Sequence, residues 1–354
     1  MKEAKLLDDM HFSSSRIDGT QKKIRFAISA REDGKSTTLA MKTYNKFVNE
    51  KATTILFKRF VNDVTPLYID SLFKPFKKFR KAIVYTYRKG DIENGVIPVY
   101  TLQGDMIFLI VCLNVPKARY KSLVVENPAL MAFDEFIIDT RAGEKYLRDE
   151  AFRVKEAYKT FYREGSNIPL YFFGNPYSLY NPYFLEYGVN ARELAEKRFL
   201  NPKNEDWCAE YHELDPRLVA DILKRDPTHK FDDDFFKYAI EGIAINDKNV
   251  RIIEKQPQGF SLSCVFLFEG RFYGIYRTMD YFADPRFWVG MVDYDKIKRR
   301  VFCFDFKDLC KGARLFSRSE RDRFTGLVFA MRNRQVAFEN LACNYAVEAI
   351  YPFL

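Results

Sequence analysis

The sequence predicts an α/β protein of two folded units joined by a small linker region, and three observations carry that expectation. Strand-like and helix-like hydrophobic periods alternate through the first half, the pattern of strands with helical crossovers. The texture changes from residue 213, where prolines and an acidic triplet, Asp232 to Asp234, interrupt short helical runs. From residue 249 strand-length apolar runs, "RIIEKQ" the first of them, follow one another through tight turns, and a closing helix near 320–349 follows, which predicts an α+β unit. With 354 residues, 47% hydrophobic and 16% aromatic, the chain has apolar side chains for two cores.

In "KKIRFAIS", Ile24, Phe26 and Ile28 recur at period two, so a strand ends at Ser29. Ala40, Tyr44, Phe47 and Val48 recur at helical spacing, so a helix begins near Lys35. Between them lie Ser29, Ala30, Arg31, Glu32, Asp33, Gly34, Lys35, Ser36 and Thr37, with the Gly-Lys-Ser of a phosphate-binding loop and a serine at the position of its first glycine. In that setting backbone N–H groups face the phosphates of ATP. Lys35 reaches the outer phosphates, and the Ser36 hydroxyl joins a Mg2+ shell. Glu32 and Asp33 are unusual beside a polyphosphate, and the reading requires them to point outward or toward the metal or water.

"TTILFKRF" (53–60), "KAIVYTYR" (81–88) and "MIFLIVCL" (106–113) predict three further strands. In "ALMAFDEFIID", Leu130 to Phe133 form a short buried strand ending in Asp134 and Glu135, the form of a Walker B segment. Asp134 would hold Mg2+ through water and Glu135 would polarise the attacking water. An apolar strand ending in two acids is common, so the weight comes from its order and spacing after the loop. Leu147, Ala151, Val154, Tyr158, Phe161 and Tyr162 then mark an amphipathic helix with Arg163 at its end. That arginine is either a capping cation or, in a ring ATPase, a finger reaching the neighbouring subunit's site. "IPLYFFGNPYS" predicts a strand ending at Gly174-Asn175, where the amide senses the γ-phosphate or water, unless the segment is a plain Asn-Pro turn.

"LFKPFKKFRKAIVYTYRKG" (72–90) is basic and free of acids, with Lys77, Lys78, Arg80 and Lys81 interleaved with aromatics. It is either a solvated helix face or a track for DNA phosphates. The net charge of +9 leans toward a polyanionic partner or serves solubility. Six scattered cysteines without a C-x-x-C pair, far from the three histidines, support neither disulfides nor zinc. No run approaches the length of a membrane span and the first fifteen residues hold no apolar stretch of a signal peptide, so a soluble intracellular protein without membrane partners is expected.

The order of these parts resembles the DNA-encapsidation ATPases of phi29-like phages, relatives of the large terminase subunit in the ASCE branch of P-loop proteins. "SAREDGKST", "FDEFI", "TFYREGSN" and "GNPYSLYNPYF" carry the resemblance. It implies a P-loop ATPase domain over 1–212, a linker region over 213–248 and a C-terminal RNase H-like domain over 249–354, resembling a terminase nuclease. Asp280, Asp284, Asp293 and Asp295 fall in or near turns, so a vestigial domain without nuclease activity is expected. By position, Lys35 and Ser36 look like the Walker A pair, Asp134 and Glu135 the Walker B pair, Arg163 the trans-acting finger and Asn175 the sensor. Lys58 or Arg59, in a strand resembling the family's second core strand, would face DNA or a neighbour. The implied activity is ATP hydrolysis driving double-stranded DNA through the portal into a procapsid. The implied assembly is a homo-oligomeric ring, a pentamer by analogy, at the procapsid vertex in the host cytoplasm, with a structural packaging RNA left open. The rivals are a nuclease-competent terminase, a helicase-like remodeller, and a non-enzymatic portal- or RNA-binding module with a dead loop.

Overall fold

The computed structural model describes residues 11–79, 82–139, 144–147, 149–162, 168–179, 181–225, 250–280, 282–297, 299–310, 312–333 and 335–354. The chain divides into two compact units, Met1–Asn246 and Asp247–Leu354.

Among the described residues the first unit holds β1 (Ile24–Ser29), β2 (Thr53–Lys58), β3 (Tyr85–Thr86), β4 (Val96–Thr101), β5 (Met106–Cys112), β6 (Pro128–Asp134), β7 (Leu170–Gly174), β8 (Phe199–Leu200) and β9 (Trp207–His212). They form one sheet in the order β3-β4-β5-β2-β6-β7-β1-β9-β8. The block β5-β2-β6-β7-β1-β9 is parallel, and β4 and β8 pair antiparallel at its two sides. Every residue of β1 and β2 is buried, as expected of parallel strands covered on both faces. Helix Lys35–Glu50 packs against β2 and β6 and buries Leu39, Ala40, Tyr44 and Phe47, while Val48, counted in its apolar period, is exposed. Helix Glu150–Phe161 buries Ala151, Val154, Ala157, Tyr158 and Phe161 at the expected spacing. Helix Pro216–Arg225 adds Leu218 and Ile222 to the same core. Residues 226–249, with the acidic triplet, lie outside the described residues.

Two strand expectations differ from the sheet. Among the described residues of "KAIVYTYR" only Tyr85–Thr86 is strand, at the sheet's edge. Strand β4 was not legible because Pro98 lies inside it; an inner strand is an unusual place for a residue that cannot donate to the ladder.

The second unit holds β10 (Phe260–Phe268), β11 (Arg271–Thr278), β12 (Phe287–Met291), β13 (Val301–Cys303), β14 (Ala313–Leu315) and β15 (Val336–Phe338), in the order β14-β13-β10-β11-β12-β15. Strands β10, β11 and β12 form an antiparallel meander, and β13 and β14 run parallel to β10. That is the arrangement of an RNase H-like sheet, with β15 added beside β12. "RIIEKQ" contributes one isolated bridge, Ile252 to Phe338, rather than a strand. The single closing helix expected near 320–349 is two helices, Thr325–Arg332 and Leu341–Ile350, divided by β15. Val336 and Phe338 favour a strand, and Asn340 starts the last helix by accepting from the Cys343 N–H at 3.1 Å. All six cysteines are free thiols, and five are buried.

Candidate active site at the carboxyl ends of the parallel strands

Strand β1 ends at Ser29 and helix Lys35–Glu50 begins at once, so the loop is short and its N–H groups converge at a helix N-terminus. Two left-handed residues shape it, Glu32 at φ +62° and Gly34 at φ +87°. A glycine suits Gly34, whereas Glu32 adopts a conformation that side chains disfavour. Glu32 stays at the surface with a carboxylate oxygen 3.5 Å from the Arg225 guanidinium.

Asp33 turns the other way. It is fully buried and accepts from the Phe12 N–H at 3.0 Å and bonds His212 Nδ1 at 2.8 Å. The Thr38 hydroxyl donates to the Phe12 carbonyl at 3.0 Å, so residues 12, 33, 38 and 212 lock the back of the loop. The hydrogen bond to Asp33 raises the His212 pKa despite partial burial. The sequence reading required Asp33 to point outward or toward the metal or water; it is instead buried against two donors, the Phe12 N–H and His212 Nδ1. Replacing Asp33 by alanine is expected to cost about 2–4 kcal/mol, from the lost pair and the stranded His212, measured by chemical denaturation.

Lys35 is nearly buried. Its ammonium donates to the carbonyls of Ser29 and Ala30, both at 2.8 Å, to the Ser29 hydroxyl at 3.0 Å and to Asn175 Oδ1 at 3.1 Å. Ser29 therefore supplies the lysine with an acceptor that glycine lacks. A Ser29→Gly variant should keep the loop and lose about 1 kcal/mol of stability, read from thermal unfolding, with nucleotide affinity within about threefold. Burial pushes the Lys35 pKa down to about 8, against the pull of Asp33 and Asp134. Ser36 is exposed at the helix N-terminus and Thr37 half-buried; Arg31 at the surface lies 3.4 Å from the Tyr177 hydroxyl.

Strand β7 lies between β1 and β6, so its end sits between the loop and the acid pair. Gly174 is paired with Ile28 and Phe173 with Asp134, which puts Asn175 between the Lys35 ammonium and the acids. Gly174 has no room for a side chain: an added Cβ would lie 2.7 Å from the Phe136 ring. Burial raises the Asp134 pKa, opposed by Lys58 and Lys35. Glu135 leaves the strand at φ +62° with its carboxylate exposed, 3.6 Å from Lys58 Nζ.

Lys58 and Arg59 correct the sequence reading. Expected to face DNA or a neighbour, both are instead buried, Lys58 beneath Tyr68 with its ammonium 4.3 Å from the ring and Arg59 on Glu150 at 2.8 Å. Burial depresses the Lys58 pKa, but Tyr68, Asp134 and Glu135 outweigh it and hold it raised. An apolar strand ending in two cations next to the acid strand is the signal that would have found this. Lys77 is exposed on the turn Lys74–Phe79, which Phe76 anchors in the core. Arg80, Lys81, Arg163 and the side chain of Lys78 lie outside the described residues.

The Ser36 hydroxyl and Asp134 carboxylate are hard oxygen donors of the kind that suits Mg2+. In the second unit Asp280, Asp284, Asp293 and Asp295 all lie off the strands, and Asp284 is paired with Arg251 at 2.8 Å. Among the described residues no group of three or more His, Cys, Asp or Glu could hold a metal, and no helix is long and apolar enough to cross a membrane.

No protein-family profile matches the chain. It is 21% identical over 328 residues to the DNA packaging protein of Bacillus phage B103, spanning 90% of this chain and 92% of that protein. Its fold is that of the viral genome packaging motor of bacteriophage phi29, with TM-score 0.66 at 17% identity over 97% of this chain and 99% of that one. The phi28 DNA packaging motor is similar at TM-score 0.61 and 14% identity, over 97% and 98%.

Proposed function

We propose that this chain, a homologue of a phage DNA packaging protein, is an ATPase that drives double-stranded DNA into a preformed capsid. One observation carries the reading: the Lys35 ammonium is bonded to Asn175 Oδ1, from the strand between the loop and the acid pair. A structural lysine needs no such partner, whereas a phosphate-binding lysine beside a polar sensor and two carboxylates forms a hydrolytic site.

In this reading the loop N–H groups and Lys35 bind and orient the polyphosphate, and Lys35 exchanges loop acceptors for phosphate oxygens. Glu135 holds and polarises the attacking water, and Asn175 reports phosphate occupancy to Lys35. Mg2+, held by Ser36 and Asp134, would neutralise phosphate charge when bound. Arg163 acts across a subunit boundary in a ring docked at the portal, and the exposed Lys77 belongs to a basic surface for DNA phosphates, with Lys78, Arg80 and Lys81. The second unit works without nuclease chemistry, consistent with its loop-borne acids.

Double-stranded DNA should stimulate ATP turnover without a forked duplex being unwound; strand separation would favour a helicase. The trans finger has its own test. Arg163→Ala subunits mixed with Glu135→Gln subunits should recover part of the turnover that each lacks alone, and strictly additive loss would remove that role.

A further inference from the structure

Three buried side chains from distant segments meet behind the acid pair. Arg59 follows β2, Glu150 opens helix Glu150–Phe161, and Tyr183 lies in the first turn of helix Pro182–Tyr187. The "NPYF" segment builds that turn: Asn181 accepts from the Tyr183 and Phe184 N–H groups, each at 3.1 Å, and Pro182 occupies the first helical position. Tyr183 is thereby aimed inward, and its hydroxyl donates to Glu150 Oε1 at 2.5 Å.

The Glu150 carboxylate is fully buried, and both oxygens are satisfied. Oε1 also accepts from Arg59 Nε at 3.0 Å, and Oε2 accepts from Arg59 Nε at 2.8 Å and from the Leu147 N–H at 2.7 Å. With Nε held, the other end of the guanidinium is fixed in direction. Its Nη2 donates to the Phe136 carbonyl at 3.0 Å and the Glu135 carbonyl at 3.3 Å, and Nη1 to the Glu135 carbonyl at 3.4 Å. Rings of Phe133 and Tyr146 lie 5.4 Å from it.

A buried ion pair is a weak device for stability, because desolvating two charges offsets most of their attraction. Here its output is directional. Glu135 stands in the left-handed region, a conformation that costs about 1–2 kcal/mol for a residue with a side chain and persists only where neighbours over-determine it. Arg59 grips the Glu135 and Phe136 carbonyls, the two that follow the left-handed residue, which is the control that such a turn requires.

We propose that Arg59, oriented by Glu150 and Tyr183, is a positioning residue for Glu135: it sets the left-handed turn that aims the carboxylate at the attacking water. This rests on the ATPase reading of the site. Arg59→Lys keeps the charge and cannot span Glu150 and both carbonyls. Tyr183→Phe keeps the ring and removes one donor.

The test is steady-state ATP hydrolysis with a parallel fluorescent-ATP binding titration on the full chain. Arg59→Lys should lower kcat about 10- to 100-fold with KM and Kd within about threefold, since only orientation is lost. Tyr183→Phe should lower kcat about 3- to 10-fold with the same split. In a Glu135→Gln background neither change should slow single turnover further, because nothing remains to be positioned. Unchanged kcat, KM and Kd rising together with its loss, or an equal further loss in that background would each overturn the proposal. If Arg59→Lys gives no cooperative unfolding transition, Tyr183→Phe decides by the same criteria. Loss of turnover in Glu135→Gln without loss in the other two, or full turnover in Glu135→Gln, sinks this proposal alone, whereas absence of ATP turnover in the wild-type chain sinks the ATPase reading and this with it.

Discussion

Glu135→Gln should lower ATP turnover by about 10²- to 10⁴-fold while nucleotide affinity stays within about threefold. The amide keeps the size and the backbone turn, so the Arg59 grip and the Asn175 contact to Lys35 survive. In the proposed mechanism what is lost is the charge that draws a proton from water. In that mechanism Glu135 is suited to the task by being the exposed member of the pair, whereas Asp134 is half-buried and its pKa raised by burial. Lys58, 3.6 Å from the Glu135 carboxylate, holds the side chain in place, so quick-quench measurement of bound product distinguishes lost chemistry from slow release. Retention of more than a tenth of wild-type turnover would assign the base elsewhere.

The second large effect is on binding. Lys35→Ala should reduce ATP affinity by about 10²- to 10³-fold and abolish measurable turnover, because a buried cation facing the phosphates is worth about 3–4 kcal/mol. The residual loop should fold: the Ser29 and Ala30 carbonyls lose a donor, while the Asp33 lock on Phe12 and His212 is untouched. The same lysine sets a pH dependence. With its pKa lowered to about 8 in the free protein, the ammonium that phosphate needs is present below that pH and lost above it. Accordingly kcat/KM for ATP should fall about tenfold per pH unit above 8, while kcat, which reports the occupied site, falls at higher pH. A flat kcat/KM profile to pH 9.5 would show that Lys35 keeps its proton in the free site.

Asp33 and His212 answer a further stability question. The raised His212 pKa means that its pairing contributes most below the ordinary histidine pKa and fades as pH rises through the folded value. An Asp33→Asn variant should therefore lose more stability at pH 5.5 than at pH 8.5, measured by denaturant midpoint.

Periodicity and motif order were enough to place the loop, the two acids and Asn175 on strand ends, because each is a local pattern: an alternating run, a Gly-Lys-Ser before a helical period, an apolar run closed by charge. Strands β1, β2, β5, β6 and β7 lie where those runs predicted them. Local signals failed where neighbours decide. Pro98 concealed an inner strand, and a helical period at 320–349 concealed β15.

The sequence alone thus placed the candidate site residues on their elements. Only the folded arrangement decided which way they face. Asp33 points into the core, Glu32 points out, Ser29 serves the lysine that its own loop presents, and Lys58 and Arg59 are buried and paired with Glu135 and Glu150. Facing is set by partners distant in sequence, Phe12 and His212 for Asp33, and Glu150 and Tyr183 for Arg59. Periodicity gives a side chain's element, whereas burial beside a donor or acceptor from another segment gives its direction.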